Sequence, residues 1–570
     1  MQIKNSSKVY DVCIVGSGAG GGMAAKVLCE AGADVLMLEA GPWFDSEEYT
    51  MFDWPYESPR RGASTEEKPF GEFDACFGGW DIDGEPYTTV GDTDFRWFRG
   101  RMLGGRTNHW GRISLRFGPD DFKGKSKDGL GEDWPISYEE IKPYYDRLDR
   151  MVGIFGTNEG MYNEPDGIFM KPPRPRCYEL FVRDGCEKLD IPVIPSRLSI
   201  ITEPLNGRPA CHYCGQCNRS CSTHSNFSTP SVLLPPAQRT GNLEIINHAM
   251  VREVTEKDGT ATGVSYINKK DRREYRVRAN VVVLAASACE SARLLLNSKS
   301  SNFPDGMANS SGMVGKYLMD TTGTSMAGVF PQLMDTPAHN EDGVGGMHLY
   351  IPWWLDNRKL DFPRGYHVEL WGGRGMPAYG FMGGIQNYNA LFQDRPTGGG
   401  GYGQQLKEDY RRFYGSIVGF SGRGEGIAYE DNYCEIDPDV VDEWGIPVLR
   451  FHYNWSEHEY LQVKHMQDTF EQIIDELGGV PLWDKPGKED GYGITAPGQI
   501  IHEVGVTRMG NNPDSSVLNK NCQAHDVNNL FVVDGGPFVS QPHKNPTWTI
   551  LALSMRASEY IVDQKNKGNL

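Results

Sequence analysis

The chain has 570 residues, of which 39% are hydrophobic and 23% charged, and its formal net charge at pH 7 is −19. The composition is that of an ordinary globular protein, and the length favours two or more domains. An acidic surface repels phosphate backbones, so we expect no nucleic-acid partner. We find no apolar run long enough to span a bilayer, and from the first residues we expect no secretory leader. This predicts a cytoplasmic protein, or a periplasmic one if a signal-bearing subunit exports it folded.

A glycine-rich turn lies near the start of the chain. The stretch YDVCIVGSGAGGGMAAKVLCEAGADVLMLEAG, from Tyr10, predicts a strand, a turn, a helix and a second strand that ends at Glu39. Gly16 permits the tight turn, Gly18 lets the backbone approach a pyrophosphate, and Gly21 lets the helix pack on the strand. The helix N-terminus attracts phosphate, and Glu39 can accept hydrogen bonds from a ribose. The stretch therefore predicts a dinucleotide site.

Four cysteines cluster in the segment ACHYCGQCNRSCSTHSNFSTP. Cys211, Cys214, Cys217 and Cys221 are spaced C-x2-C-x2-C-x3-C, as in bacterial ferredoxins but without the following proline. Three interpretations are open, namely an iron–sulfur cluster, a zinc site or a loop without metal. Zinc ribbons usually pair two distant C-x2-C knuckles, so the compact spacing favours a cluster over zinc. The other eight cysteines are scattered singly and predict no disulfide framework.

Several further motifs point in one direction. They are FRGRMLGGRTNHWGRISLRF from Phe98, IHEVGVTRMG from Ile501 and NNLFVVDGGPFVSQPHKNPTWTILALSMRASEYIV from Asn528. With the glycine turn, they make the chain resemble the glucose-methanol-choline (GMC) oxidoreductases from end to end, apart from a variable centre. Within that family, the chain is most similar to the branch of glucoside 3-dehydrogenases, gluconate dehydrogenase large subunits and pyranose oxidases.

The resemblance implies an α/β fold, α+β overall, with a Rossmann-like FAD-binding domain and a separate sheet-based substrate domain. We expect an FAD-binding domain over residues 1–330, with a cysteine-rich insertion at about 205–230. A substrate-binding domain is expected over 331–494, and a C-terminal return of the first domain over 495–570. In the substrate domain, we expect Trp353 and Trp354 to be core residues rather than sugar-stacking ones, and residues 395–405 to form a lid or a surface loop.

The resemblance also assigns catalytic roles. A base must take the hydroxyl proton as hydride leaves the carbon, and histidine suits that task. The family position of the base is His502, and Asn545, 43 residues later, would align the substrate oxygen. His543 lies in the same loop as Asn545 and is the rival base, or it caps the last helix.

The resemblance also implies which residues contact the cofactor. Gly104 and Gly105 allow close approach to the flavin, and Asp534 and Gly535 match the family's flavin-binding turn. His109 matches a histidine that carries the flavin covalently in the pyranose oxidase branch, so both a covalent and a non-covalent flavin remain open. The other cofactor contacts implied are Asn108, Val251, Asn545, Pro546 and Thr547.

The implied function is an FAD-dependent dehydrogenase that oxidises a secondary hydroxyl of a pyranose or glycoside, preferably C3 of a glucoside. The alternatives are an oxygen-using pyranose oxidase, a gluconate-type sugar-acid dehydrogenase and a flavin-containing lyase or electron-transfer subunit without substrate oxidation. A cluster beside the flavin would relay single electrons, which favours a dehydrogenase over an oxidase. The expected partners are a sugar or glycoside, a small subunit and a cytochrome-type electron acceptor.

Overall fold

The computed structural model of the protein describes residues 4–54, 56–91, 94–337, 343–374 and 403–570. Of the loop expected at 395–405, residues 395–402 lie outside these ranges. Eighteen strands occur in the described residues: β1 Lys4–Val15, β2 Val35–Leu38, β3 Gly78–Gly79, β4 Thr88–Thr89, β5 Arg99–Gly100, β6 Ile194–Pro195, β7 Leu243–Ile246, β8 Ala249–Lys257, β9 Thr260–Asn268, β10 Glu274–Leu284, β11 Ser325–Val329, β12 Leu349–Ile351, β13 Tyr366–Gly372, β14 Ile417–Gly424, β15 Tyr433–Val441, β16 Pro447–His452, β17 Val480–Pro481 and β18 Leu530–Val532.

The same part of the chain contains ten α-helices: α1 Ala19–Glu30, α2 Gly124–Asp128, α3 Tyr138–Val152, α4 Cys177–Lys188, α5 Thr229–Val232, α6 Leu234–Arg239, α7 Ala288–Asn297, α8 Gly403–Phe413, α9 Glu457–Glu476 and α10 Thr547–Asn566. None of the helices in these described ranges is long and apolar enough to cross a bilayer.

The first large sheet has seven strands in the order β7-β2-β1-β10-β9-β8, with β18 also paired to β10. β7, β2, β1, β10 and β18 run parallel. Their central residues, such as Val12, Ile14 and Val283, are fully buried, as expected for parallel strands covered on both faces. The turn after β1 leads directly into α1, and α10 returns to pack on α1. This confirms the predicted Rossmann-like domain.

The second large sheet has six strands in the order β17-β11-β14-β13-β12-β6, all antiparallel. Successive side chains of a strand point to opposite faces. On β13, Tyr366, Val368 and Leu370 join a core that includes residues of α9, while Glu369 and Trp371 line a cavity on the other face. This confirms a separate sheet above the nucleotide domain. The sheet takes β6 and β11 from outside residues 331–494, so the two domains are interleaved along the chain.

Trp353 and Trp354 pack against the second core beside Tyr366, and Trp353 Nε1 donates a hydrogen bond to Asn357 Oδ1 at 3.0 Å. Neither tryptophan lines the cavity. Their positions match the expectation of core residues.

Candidate active site

A cavity of about 1150 Å³ lies between the two large sheets. This volume exceeds what one drug-sized ligand needs, so it leaves room for a dinucleotide and a small substrate together. Eleven of the predicted cofactor residues line it: Gly16, Gly18, Glu39, Gly105, His109, Val251, Asp534, Gly535, Asn545, Pro546 and Thr547.

The glycine turn forms one end of the cavity. Gly18 caps the N-terminus of α1, and a side chain built there would meet no atom within 4 Å. The backbone is therefore open to a phosphate at the positive end of the helix dipole. Glu39 closes this end, with its two carboxylate oxygens accepting hydrogen bonds from Ser17 Oγ and from the Gly41 N–H. The arrangement fits the ribose and pyrophosphate of FAD.

Three other predicted cofactor residues lie behind the wall and support it. A side chain at Gly21 would overlap the Gly16 carbonyl oxygen, so Gly21 permits the close packing of α1 on β1. Gly104 adopts a φ of +89°, which glycine tolerates best. Asn108 Nδ2 donates to the carbonyls of Leu103 and Gly105 and holds this turn in place.

The C-terminal segment supplies a further part of the wall, next to the start of α1. Asp534 Oδ2 accepts a hydrogen bond from Ser291 Oγ, and burial raises the pKa of Asp534 to about 6. Asn545 and Pro546 immediately precede α10, so the positive end of this helix dipole also points at the cavity. Asn545 Oδ1 is buried without a hydrogen-bond partner, as expected of an atom that awaits a ligand.

His502 and Asn545 come together on the cavity wall. Asn545 Nδ2 lies 3.3 Å from His502 Nε2, and Thr321 Oγ1 lies 3.0 Å from His502 Nδ1. With the amide donating to Nε2, the ring proton is on Nδ1 and Nε2 is the accepting nitrogen of the ring. The His502 backbone N–H donates to the buried carboxylate of Asp320, and this bond fixes the backbone position from which the ring extends. Burial, aided by the charge of Arg423, lowers the pKa of His502 to about 3, so the imidazole is neutral.

Two cavity residues beside this pair had not been predicted. Glu369 on β13 and Arg423 on β14 form an ion pair with 3.2 Å between Oε2 and Nη2. Burial would raise the pKa of Glu369, but the charge of Arg423 and a hydrogen bond with His367 outweigh it and lower the pKa to about 2. A permanent carboxylate and a guanidinium therefore face the space next to His502. The sequence signal that could have found Glu369 is the alternation of polar and apolar residues in "HVELW", residues 367–371.

His543 does not line the cavity. Its Nε2 lies 3.4 Å from Glu164 Oε1 and 3.4 Å from Lys544 Nζ, and its ring packs 5.7 Å from that of His367. Burial and the charge of Lys544 hold the pKa of His543 well below its usual value. Of the two histidines, the structure brings only His502 to the cavity with Asn545.

His109 lies on the wall opposite the second sheet, packed against Phe98 and Phe70. Its Nδ1 is 3.7 Å from Asp74 Oδ2, and its Nε2 is buried without a hydrogen-bond partner. Burial lowers the pKa of His109 to about 3, with nearby arginines adding to the effect. A neutral imidazole whose Nε2 has no hydrogen-bond partner therefore borders the cavity.

The cysteine loop forms part of the same wall, through Cys214, Gly215 and Gln216. The four thiols influence one another, since charges on Cys217, Cys221 and Cys214 raise the pKa of Cys211 beyond the larger effect of burial. Three of the sulfurs have hydrogen-bond partners: Cys211 with the Tyr213 N–H at 3.3 Å, Cys217 with the Gly345 N–H at 3.3 Å and Cys221 with Thr223 Oγ1 at 3.5 Å.

The distances between these sulfurs can be compared with those expected around a single zinc ion. Among the described residues, only Asp74, Cys76 and His109 offer three ligand atoms within 4.8 Å of one another. Thiolates around one zinc ion would be about 3.8 Å apart, given a Zn–S distance of about 2.3 Å. No three sulfurs of the loop are therefore as close together as the ligands of a single zinc ion would be.

Comparison with known proteins identifies the family. The N-terminal family model of the GMC oxidoreductases matches residues 19–321, and the C-terminal model matches residues 428–554. The chain belongs to the GMC oxidoreductases. GMC oxidoreductases bind FAD and act on CH–OH groups of alcohols and sugars, and the cavity with its glycine turn is the candidate FAD site of this enzyme.

Three relatives of this GMC oxidoreductase span nearly its whole length. The 2-methyl-1,2-propanediol dehydrogenase of Mycolicibacterium austroafricanum is 31% identical, across 98% of this chain and 96% of that protein. The fructose dehydrogenase large subunit of Gluconobacter japonicus is 26% identical, across 99% and 100%. The C-glycoside 3-oxidase of Arthrobacter globiformis is 24% identical, across 97% and 95%.

Two glycine substitutions separate cofactor binding from folding. Gly18→Ala places a methyl group in the open space above α1, so we expect a stable apoprotein that retains less FAD. Gly21→Ala overlaps the Gly16 carbonyl, so we expect a loss of roughly 1–3 kcal/mol in stability. Thermal unfolding of the apoproteins and FAD content after purification check both outcomes. Full FAD content in Gly18→Ala, measured with His109→Ala in the same protein so that a covalent link cannot retain the flavin, would contradict the assignment of the phosphate site.

Proposed function

We propose that this GMC oxidoreductase is a dehydrogenase that oxidises a secondary hydroxyl of a pyranose or glycoside, preferably C3 of a glucoside, to a keto sugar. The observation that carries the proposal is the His502–Asn545 pair, in which a neutral imidazole nitrogen and an amide lie 3.3 Å apart on the cavity wall. Such a pair can receive a hydroxyl proton and hold the oxygen that loses it.

In the reaction, bound FAD supplies a two-electron acceptor for the hydride from the carbinol carbon. His502 Nε2 takes the hydroxyl proton, because the imidazole is neutral in the resting site and the substrate hydroxyl can replace the Asn545 amide as its hydrogen-bond partner. The resulting imidazolium is stabilised by the carboxylate of Glu369, whose charge favours the protonated form of His502. Asn545 Nδ2 donates to the substrate oxygen, and Thr321 keeps the ring oriented through Nδ1.

The polar groups on the substrate side support a polyhydroxylated substrate. Glu369 can accept hydrogen bonds from two neighbouring hydroxyls, and Arg423 can donate to a third oxygen. The relatives named for fructose and for a C-glycoside suit such a site. A small vicinal diol is the second candidate, because the 31% identical relative is named for one.

The cysteine loop supports an electron relay. We propose that Cys211, Cys214, Cys217 and Cys221 hold an iron–sulfur cluster that passes electrons singly to a haem protein. The loop's place in the cavity wall and the hydrogen bonds to its sulfurs support this role. The name of the fructose dehydrogenase large subunit supports a further small subunit as partner. The cytoplasmic or periplasmic location stays a prediction.

For the base, we expect His502→Ala to slow anaerobic flavin reduction by a sugar about 10²- to 10⁴-fold, the usual effect of a positioned base. Asn545→Ala should cost less, because it removes a hydrogen bond rather than the proton acceptor. Because the pKa of His502 is lowered, its base form persists on acidification, so the wild-type rate should hold well below pH 6.5. Rapid-mixing absorbance at several pH values measures these rates.

His543→Gln is the matched control for the base, since its ring is buried behind the cavity wall. We expect its flavin reduction to stay near the wild-type rate. Near-normal reduction in His502→Ala together with collapse in His543→Gln would reverse the assignment.

We also propose that His109 links covalently to the flavin, because its Nε2 is neutral, buried and unpartnered at the cavity. In that case, acid-denatured wild-type protein should keep its flavin fluorescence on a gel, and His109→Ala should lose it. Release of all flavin from denatured wild-type protein would show a non-covalent cofactor.

For the cluster, wild-type protein prepared anaerobically should contain iron and acid-labile sulfide in comparable amounts. Cys217→Ser and Cys221→Ser should lose most of both, while flavin reduction by the sugar persists. The control is Cys177→Ser, an exposed cysteine at the start of α4 that should leave the metal content unchanged. Wild-type protein without iron would leave the four cysteines as a structural loop.

A further inference from the structure

A segment with several exposed aromatic side chains contacts the cysteine loop. Among the large hydrophobic side chains exposed in the described residues, seven are aromatic, and five of those seven belong to one segment, residues 43–77. They are Trp43, Phe52, Trp54, Tyr56 and Phe77, with exposed fractions from 43% to 69%. We call these five side chains the aromatic patch. Scattered exposed hydrophobics are ordinary, but five exposed aromatics in one segment, two of which (Trp54 and Tyr56) stack at 6.4 Å, favour an interaction surface.

The patch is anchored to the cysteine loop by one buried arginine. The Arg219 guanidinium donates to the backbone carbonyls of Thr50 and Asp53, and it lies 4.4 Å from the ring of Phe73. Arg219 follows Cys217 by two residues, and it lines the cavity together with Phe73. The cysteine loop thus contacts the cavity on one side and the segment that carries the patch on the other.

The charge of the segment indicates the kind of partner. Seven carboxylates are exposed within it: Asp45, Glu47, Glu48, Asp53, Glu57, Glu66 and Glu67. The exposed Arg60 lies near a carboxylate of its own segment, 4.0 Å from Glu72. Aromatic anchors surrounded by acidic groups suit a protein whose contact surface is apolar at its centre and basic at its rim.

We propose that the aromatic patch docks a basic, one-electron-accepting haem protein, which receives electrons through the cysteine loop. This inference rests on the proposed dehydrogenase function. Oxidation of one CH–OH group to a carbonyl releases two electrons and two protons. Each ferric haem takes one electron and becomes ferrous, so two haem proteins are reduced per product. Both protons pass to solvent, one of them from His502.

The test separates docking from sugar oxidation. The flavin is reduced photochemically under anaerobic conditions, without any sugar, and mixed with ferric cytochrome c as a basic haem protein. We expect wild-type protein to reduce cytochrome c at a rate that falls with added salt, because exposed charges are screened. The double variant Phe52→Ser/Trp54→Ser and the charge variant Asp53→Lys/Glu57→Lys should be slower by roughly tenfold or more, the usual effect of losing interface anchors.

Matched controls lie elsewhere on the surface. Tyr162→Ser removes an aromatic side chain that is 71% exposed, and Glu187→Lys reverses an exposed charge on α4. Both should reduce cytochrome c at the wild-type rate. All variants should reduce a small acceptor such as ferricenium equally, which shows that folding and the flavin are intact.

Each result has one meaning. Equal cytochrome c reduction by wild-type protein and both patch variants, or none by wild-type protein, would overturn the docking proposal. Sedimentation that shows a wild-type dimer and a monomeric Phe52→Ser/Trp54→Ser variant would assign the patch to self-association and also overturn it. Failure of every sugar and diol to reduce the flavin would refute the proposed function alone, because the docking measurement uses no substrate.

Discussion

Burial of the side chains that border the cavity between the two large sheets is the largest influence on the pKa values of His502, His109 and Asp534. Burial penalises charge, so His502 and His109 are both neutral, with pKa values of about 3. The same penalty raises the pKa of Asp534 to about 6. Glu369 stays ionised only because Arg423 and His367 compensate for its burial. One environment thus gives a free base, a fixed carboxylate and a partly protonated acid within a single site.

The neutral state of His502 and the charge of Glu369 act together. A low pKa keeps His502 ready to accept a proton but makes the imidazolium costly. Glu369 favours that imidazolium, whereas Arg423 opposes it. Because Arg423 is paired with Glu369 at 3.2 Å, substrate hydroxyls that compete for the carboxylate would change the balance. Substrate binding and the basicity of His502 are therefore coupled through one ion pair.

Much of the nucleotide half could be predicted from the sequence, because its contacts are local. Gly16, Gly18, Gly21 and Glu39 lie within one strand–turn–helix–strand unit, and their spacing determines their geometry. Glu369 and Arg423 escaped prediction because their pairing depends on which strands of the second sheet are neighbours. A two-residue alternation shows that β13 has two faces, but it does not show which face meets a cavity.

The cysteine loop could be predicted only in part. The spacing of its four cysteines indicated how many ligands it offers, which is a local property. Its place in the cavity wall depends on contacts with distant segments, such as the Gly345 N–H bond to Cys217 Sγ. The same reasoning applies to His543, whose neighbours in the chain suggested the active site. Its ring is instead directed toward Glu164 and Lys544, because the buried Lys544–Asp121 pair, 2.7 Å apart, holds the loop in that orientation.

The distribution of charge joins the interior to the surface. The protein carries a formal net charge of −19, yet the described residues that line the cavity include eight arginines and six Asp or Glu residues. Burial further reduces the negative charge inside, since it raises the pKa of Asp74 to about 7. A positive interior favours the anionic pyrophosphate of FAD, whereas an acidic exterior attracts basic proteins over several ångströms. The cysteine loop contacts both regions, because Arg219 lines the cavity and also binds the carbonyls of the exposed acidic segment. The cysteine loop therefore lies between an arginine-rich cavity that would attract the cofactor and an acidic surface that would attract a basic electron acceptor.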